Sequence, residues 1–148
     1  MSLKSRILEE VKDAMRARAR ERLGALRLVT AAIKQKEVDE RVDLDDAGVL
    51  AVLDKMAKQR RESIEQYASA GRQDLVDQEQ MELDIIGEFL PEPLGQAELE
   101  GLIDQVIAAT GASGMQDMGS VMAQLKPQVQ GRADMKAVSN AVRARLTA

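Results

Sequence analysis

The side chains available for chemistry in this 148-residue sequence are carboxylates, hydroxyls, amides and cations, because it contains neither His nor Cys. Without His, the chain lacks the commonest general base near neutral pH and the commonest metal ligand. Without Cys, it can form no thiolate nucleophile, disulfide or Cys-ligated zinc site. The composition therefore favours a non-catalytic role, and we predict no catalytic residue and no cofactor.

Two carboxylates, Glu79 and Glu82, lie three residues apart on a predicted helix, so that they project from the same face. Metal sites in helical bundles combine such carboxylates with a second carboxylate pair and with His ligands. This sequence offers no His and no evident second pair. We therefore predict no metal site at these two residues.

Two groups of cations are candidates for binding an anionic partner. The first accompanies a segment punctuated by Gly and Pro, and the second lies within one predicted helix. The nucleic-acid-binding candidates are Lys126, Arg132, Lys136, Arg143 and Arg145, and the secondary basic candidates are Lys58, Arg60 and Arg61. Lys136 and Arg143 are seven residues apart, which is about two helical turns, and so share one side. The alternative is an ordinary solvated helix surface.

The charge of the chain is unevenly distributed, although the net charge is only −4. Residues 1–22 carry seven basic and four acidic side chains, whereas residues 71–100 carry one basic and nine acidic ones. From residue 115 to the end there are five basic and two acidic side chains. A protein that grips nucleic acid along its whole surface is more basic than this, so the charge favours at most a local basic face.

Hydrophobic spacing of three and four residues predicts an all-α fold. The core must consist of aliphatic residues and Met, because the only aromatic residues are Tyr67 and Phe89. We predict a first helix that begins at Ser2, followed by helices over residues 21–39, 46–70, 73–90, 96–110, 117–125 and 134–146. Ser2 and Asp45 or Asp46 are the predicted N-caps near the start of the chain.

The Pro91-Glu92-Pro93 segment is the best candidate for a domain boundary, because Pro cannot continue a helix and restricts the residue before it. The predicted organisation is an N-terminal helical bundle or set of hairpins over residues 1–90, then a compact three-helix subdomain over residues 94–148. Four residues are predicted to shape turns in that subdomain: Gly119, Pro127, Gly131 and Asp134. Asp134 is the expected N-cap of the last helix.

Several stretches of the sequence resemble the GatB/YqeY family in its stand-alone form. They occur in an order and spacing that cover nearly the whole chain: Arg27 to Gln35, Lys58 to Ile64, Ala70 to Leu75, Phe89 to Pro91, and the Gly131-Arg132-Ala133-Asp134 turn. The turn is the most specific of these pieces.

The resemblance implies a relation to the tail domain of the B subunit of a glutamine-dependent aminoacyl-tRNA amidotransferase. In that enzyme the tail helps to hold the tRNA, whereas the chemistry takes place in a separate, larger domain. A label of carbon–nitrogen ligase activity with glutamine as amido-N-donor would thus be inherited from the family. The implied role here is a non-catalytic accessory module that associates with tRNA.

The sequence departs from the family pattern at three positions, where relatives tend to carry Lys: Ser120, Gln128 and Gln130. Each missing cation removes a contact to phosphate and weakens the expected RNA binding. A helical protein–protein interaction module is therefore the alternative function, and a ligase acting alone is the third. The expected partners are tRNA or another protein, with no membrane, and the absence of Cys points to the cytoplasm.

Overall fold

The computed structural model describes residues 1–148, and it confirms the predicted all-α fold. Seven α-helices and one short 3₁₀ turn, Met115–Asp117, follow one another along the chain. The helices are α1 (Leu3–Arg16), α2 (Arg20–Glu40), α3 (Asp46–Ser69), α4 (Gln73–Gly87), α5 (Gln96–Thr110), α6 (Met118–Val129) and α7 (Met135–Leu146). The chain divides into two compact units, Met1–Leu90 and Pro91–Ala148, each with a hydrophobic core of its own.

Unit 1, Met1–Leu90, consists of helices α1 to α4. The pairs α1 with α2 and α3 with α4 make its main helix contacts, and α2 also packs on α4. Aliphatic side chains at helical spacing fill the core between them, among them Ile7, Leu26, Val29, Leu53 and Ile86, and all of these are nearly inaccessible to solvent. The predicted caps are present, because Ser2 Oγ accepts from the Ser5 N–H and Asp45 Oδ1 accepts from the Gly48 N–H.

The last residues of unit 1 leave the α-helix earlier than predicted. Helix α4 ends at Gly87, and the N–H groups of Glu88, Phe89 and Leu90 each donate to the carbonyl three residues earlier. This tighter winding turns the Phe89 side chain into the core, where it is 3% exposed. The Arg6 guanidinium lies 5.1 Å from the centroid of the Phe89 ring and donates to the Glu88 carbonyl.

The basic start of the chain pairs with the acidic segment inside unit 1. Arg22 donates through Nη1 to Glu88 Oε2 at 2.6 Å and through Nη2 to Glu10 Oε2 at 3.0 Å. The Glu88 carboxylate, and to a smaller extent that of Glu10, raises the pKa of Arg22 above its ordinary value. Part of the uneven charge of the sequence is therefore used to hold α1, α2 and the end of α4 together.

Unit 2, Pro91–Ala148, is the three-helix subdomain formed by α5, α6 and α7. Its core contains residues from all three helices, and six of them are at most 1% exposed: Ile103, Val121, Leu125, Val129, Val138 and Val142. Gly111 ends α5 with a φ of +67°, and Gly131 precedes α7 with a φ of +78°. Both conformations favour glycine because it has no Cβ.

Helix α6 continues to Val129, although the sequence predicted that it would stop before Pro127. Pro127 and Ala123 both lie on the exposed side of the helix. Because Pro127 has no N–H group, the Ala123 carbonyl lacks its usual helical hydrogen bond. On that side water can replace the missing hydrogen bond, whereas Val129 gains a fully buried position one turn after Leu125. The burial of Val129 explains why the helix continues.

Candidate nucleic-acid interface

Arg132 is one of the predicted binding cations, and it makes several contacts within unit 2. Its Nε donates to the Glu92 carbonyl at 3.0 Å, and its own carbonyl accepts from the Leu94 N–H at 2.8 Å. A looser ion pair joins its guanidinium to Glu98 Oε2 at 4.0 Å, and the side chain is 34% exposed. Arg132 therefore joins the segment before α5 to the turn before α7, which leaves its guanidinium poorly available to a partner.

Arg145, the last of the candidate cations, is paired with Asp104 of α5. The Asp104 carboxylate raises the pKa of Arg145 above its ordinary value. This contact joins α7 to α5 along one edge of the unit. Any anionic partner would have to compete with Asp104 for Arg145.

The other three candidates, Lys126, Lys136 and Arg143, are exposed and form no ion pair or side-chain hydrogen bond. Lys136 and Arg143 lie on the outer side of α7, across the helix from Val138 and Val142. Their separation of seven residues corresponds to a rise of about 10 Å along the helix. Lys126 belongs to the last turn of α6. These three cations are the basic groups of unit 2 that remain available to an anion.

The turn before α7 sets the direction in which that helix leaves. Gly131 allows the left-handed backbone conformation, and Asp134 caps α7 by accepting from the Lys136 N–H at 3.4 Å. Gly119, in contrast, is the second residue of α6 and shapes no turn, so that expectation is wrong, as it is for Pro127. The turn in this part of the chain falls at Met115–Asp117, where Asp117 Oδ2 accepts from the Ser113 and Gly114 N–H groups.

The secondary basic group divides in a similar way. Arg60 points toward α4, where its Nε lies 3.3 Å from Glu82 Oε2 and 4.0 Å from Glu79 Oε2. Its side chain is 16% exposed, so it serves as the internal counter-charge of the two carboxylates that were considered as metal ligands. Lys58 and Arg61 lie on the exposed side of α3.

A cluster around Lys4 was not singled out from the sequence. Lys4 Nζ donates to Glu37 Oε2 at 2.6 Å and to Asp43 Oδ1 at 2.7 Å, and Glu37 Oε2 also accepts from the Leu44 N–H. The cluster joins α1 to the end of α2 and to the segment before α3. Lys4 is 33 residues from Glu37 and 39 residues from Asp43 in the chain, so local spacing carried no signal of the cluster.

This cluster predicts a pH dependence of stability. Asp43 and Glu37 raise the pKa of Lys4, so the contribution of Lys4 is complete below its ordinary pKa and is lost as the pH rises through the higher folded value. The pKa of Asp43 is lowered, first by Lys4, so its contribution is lost as the pH falls through that lower value. We expect Lys4→Met to lower the urea midpoint of unit 1 at neutral pH, and its effect to shrink below about pH 4. An equal effect at pH 7 and pH 3 would contradict this assignment.

A family model described as YqeY-like protein matches residues 4–146. The protein named altered inheritance of mitochondria protein 41, mitochondrial, of Pyrenophora tritici-repentis is 27% identical over 130 residues, which cover 86% of this chain and 71% of that protein. Its namesake in Eremothecium gossypii is 36% identical over 92 residues, 61% of this chain and half of that protein. The namesake in Saccharomyces cerevisiae strain YJM789 is 29% identical over 130 residues, 87% of this chain and 69% of that protein.

The family match covers both units and includes the cations of α7, the turn at Gly131 and the start of α1. The matched range, residues 4–146, leaves out only five residues of the chain. The chain belongs to the YqeY-like protein family.

Proposed function

We propose that this chain is a non-catalytic accessory module that associates with tRNA through the exposed cations of unit 2. The observation that carries the proposal is the set of three exposed cations without internal partners, Lys126, Lys136 and Arg143. Phosphate contacts supply most of the affinity of non-specific nucleic-acid binding, and exposed Lys and Arg make them at little desolvation cost. The two other candidate cations of this unit, Arg132 and Arg145, already serve the fold.

The proposed binding is weak and strongly dependent on salt. A chain with a net charge of −4 repels RNA at long range, and only a local face attracts it. The single Tyr and Phe are both in unit 1, with Phe89 buried, so base stacking contributes nothing on α7. With three phosphate contacts, the logarithm of the affinity should fall with the logarithm of the salt concentration with a slope of about −2 to −3.

A titration of total tRNA with the full chain at several salt concentrations tests this proposal. In the variant Lys136→Gln/Arg143→Gln, we expect the affinity at low salt to fall about tenfold or more and the slope to become shallower by about 2. Both side chains are exposed, so the fold should be unaffected, which circular dichroism can check.

The matched control removes the same charge from unit 1, through Lys58→Gln/Arg61→Gln. If the control weakens tRNA binding as much as the α7 variant, the interface does not lie on α7. If wild type does not bind tRNA even at low salt, the tRNA proposal is wrong. Glutamine- and ATP-dependent amidation of mischarged tRNA by the purified chain would overturn the non-catalytic assignment.

The location in the cell stays a prediction. No helix has both the length and the apolar character that a membrane span requires. The absence of Cys supports our proposal of a cytoplasmic chain, whereas the fungal relatives carry the word mitochondrial in their names. Fractionation of cells that express the full-length protein would distinguish the two compartments.

A further inference from the structure

A groove with apolar walls lies between α1 and α2 in unit 1, at some distance in sequence from the candidate RNA interface. It has a volume of about 600 Å³, and Ile7, Leu8, Ala31 and Ile33 form its apolar lining. Leu8 is 46% exposed, although its neighbour Ile7 is fully buried. An exposed apolar wall of this kind costs free energy in water unless a partner covers it.

The groove continues past the end of α2. An adjoining depression of about 330 Å³ includes Val38, Arg41 and Val42, and three residues, Lys34, Glu37 and Asp43, line both cavities. Val38 is 60% exposed and Val42 is 47% exposed. We call the two cavities together the α1–α2 groove. Its exposed apolar groups are thus found at both of its ends.

One face of α2 forms a wall along the entire α1–α2 groove. Its residues recur at steps of three and four, which places them in line on one side of the helix: Arg27, Thr30, Ala31, Lys34, Glu37 and Val38. Arg41, the C-cap residue of α2, follows them at the end of the groove. From Arg27 to Arg41 the chain advances 14 residues, which corresponds to about 21 Å. The groove therefore has the length and the apolar spacing that suit one helix of about four turns.

The charge along this groove indicates which helix would fit. Arg27, Lys34 and Arg41 form no ion pair or side-chain hydrogen bond, whereas Lys4 is shared by the two carboxylates of the groove, Glu37 and Asp43. The lining thus holds four cations and two carboxylates. The available charge in the groove is consequently positive, although the chain as a whole has a net charge of −4. An occupant with acidic side chains beside an apolar stripe would complement it.

We propose that the α1–α2 groove is a docking site for an acidic amphipathic helix of a protein partner. The partner would place apolar residues, spaced by three and four, against Leu8, Ala31 and Val38, and carboxylates near Arg27, Lys34 and Arg41. A second copy of this chain fits less well, because its acidic helix α4 uses Ile85 and Ile86 in its own core. This site is separate from the cations of α7, so either proposal can fail alone.

A designed peptide of about 14 residues tests the docking site directly. It carries Leu at three- and four-residue steps, Glu on the flanking positions and a side-chain staple, because helices this short are marginal in water. We expect fluorescence anisotropy to show salt-sensitive binding to the full chain, which weakens about tenfold or more in Arg27→Glu/Lys34→Glu. Leu8→Asp should weaken binding by a similar factor at high salt as well, because it removes apolar contact.

The matched control is Lys136→Glu/Arg143→Glu, which also reverses two exposed cations seven residues apart on one helix, but in unit 2. It should leave peptide binding unchanged. Equal binding of a peptide with the same composition and scrambled apolar spacing would overturn the proposal, as would equal weakening by the control. Absence of any binding, or self-association of the chain that competes with the peptide, would also overturn it. The tRNA titration serves as the reciprocal test, in which only the α7 variant should matter.

Discussion

Replacing Leu125 by Ala is expected to destabilise unit 2 strongly, up to unfolding it, while unit 1 stays folded. Leu125 is fully buried in the core of α5, α6 and α7, and truncation of such a residue typically costs about 2–5 kcal/mol. Unit 2 has fewer than 60 residues, for which a stability of about 3–9 kcal/mol is typical. One substitution therefore removes much or all of the stability of this unit.

The positions of the aromatic residues make this result easy to measure. Tyr67 and Phe89 are the only aromatic residues and both lie in unit 1, so tyrosine fluorescence reports on that unit alone. Circular dichroism at 222 nm reports on the helices of both units. In a urea titration of Leu125→Ala, we expect the circular dichroism of unit 2 to be lost at a lower urea concentration than in wild type. The urea midpoint followed by Tyr67 fluorescence should be the same as in wild type.

Leu28→Ala is the control for this experiment, because Leu28 is 45% exposed and lies outside the core. It should change the free energy of unfolding obtained from either signal by no more than about 0.5 kcal/mol. If Leu125→Ala lowers the urea midpoint followed by Tyr67 fluorescence as much as the midpoint followed by circular dichroism, the two units unfold together. In that case the two units would be separate in their packing contacts but would unfold as one cooperative unit.

The second large effect is expected at Arg60. This cation lies against Glu79 and Glu82, whose side chains are 22% and 12% exposed. Removal of Arg60 leaves two poorly hydrated carboxylates side by side, which costs about 1–3 kcal/mol, less than for a fully buried pair because some water reaches them. We expect Arg60→Ala to lower the urea midpoint of unit 1 accordingly.

A double-mutant cycle separates this charge effect from the loss of packing. The variant Arg60→Ala/Glu82→Gln should be more stable than the sum of the single variants predicts, because the second change removes half of the uncompensated charge. Additive single effects would show that Arg60 acts through its aliphatic stem. Arg61→Ala, an exposed neighbour, should have almost no effect.

The helices were largely predictable from the sequence because their apolar residues recur at helical spacing. The predicted range 96–110 matches α5, and 21–39 differs from α2 by one residue at each end. The two clear errors, at α4 and α6, have tertiary causes. Phe89 winds into the core after Gly87, and Val129 is buried beyond a Pro127 that faces solvent. The helix-breaking tendency of Pro, taken alone, does not contain this information. The four-residue spacing of the apolar residues Val121, Leu125 and Val129 did indicate that the helix continues.

The candidate site was less predictable, because the sequence identifies cations but not their partners. Arg132 contacts the Glu92 carbonyl, 40 residues away, Arg145 pairs with Asp104, 41 residues away, and Arg60 pairs with Glu82, 22 residues away. Only packing brings these groups together. The same is true of the α1–α2 groove, whose two walls come from separate helices. The sequence therefore suggested more free positive charge than the folded chain offers.

The contacts of Arg132 with Glu92 and Leu94 also have a mechanical consequence. They lie at the entrance of unit 2, between Pro91 and the first residue of α5. Tension transmitted along the chain from Pro91 acts on the two hydrogen bonds of Arg132 before it reaches α5. The strain then passes into the turn ahead of α7, so that the first turn of α5 is not peeled from its core. A pull on the upstream end of unit 2 would thus load Arg132 before it loads helix α5.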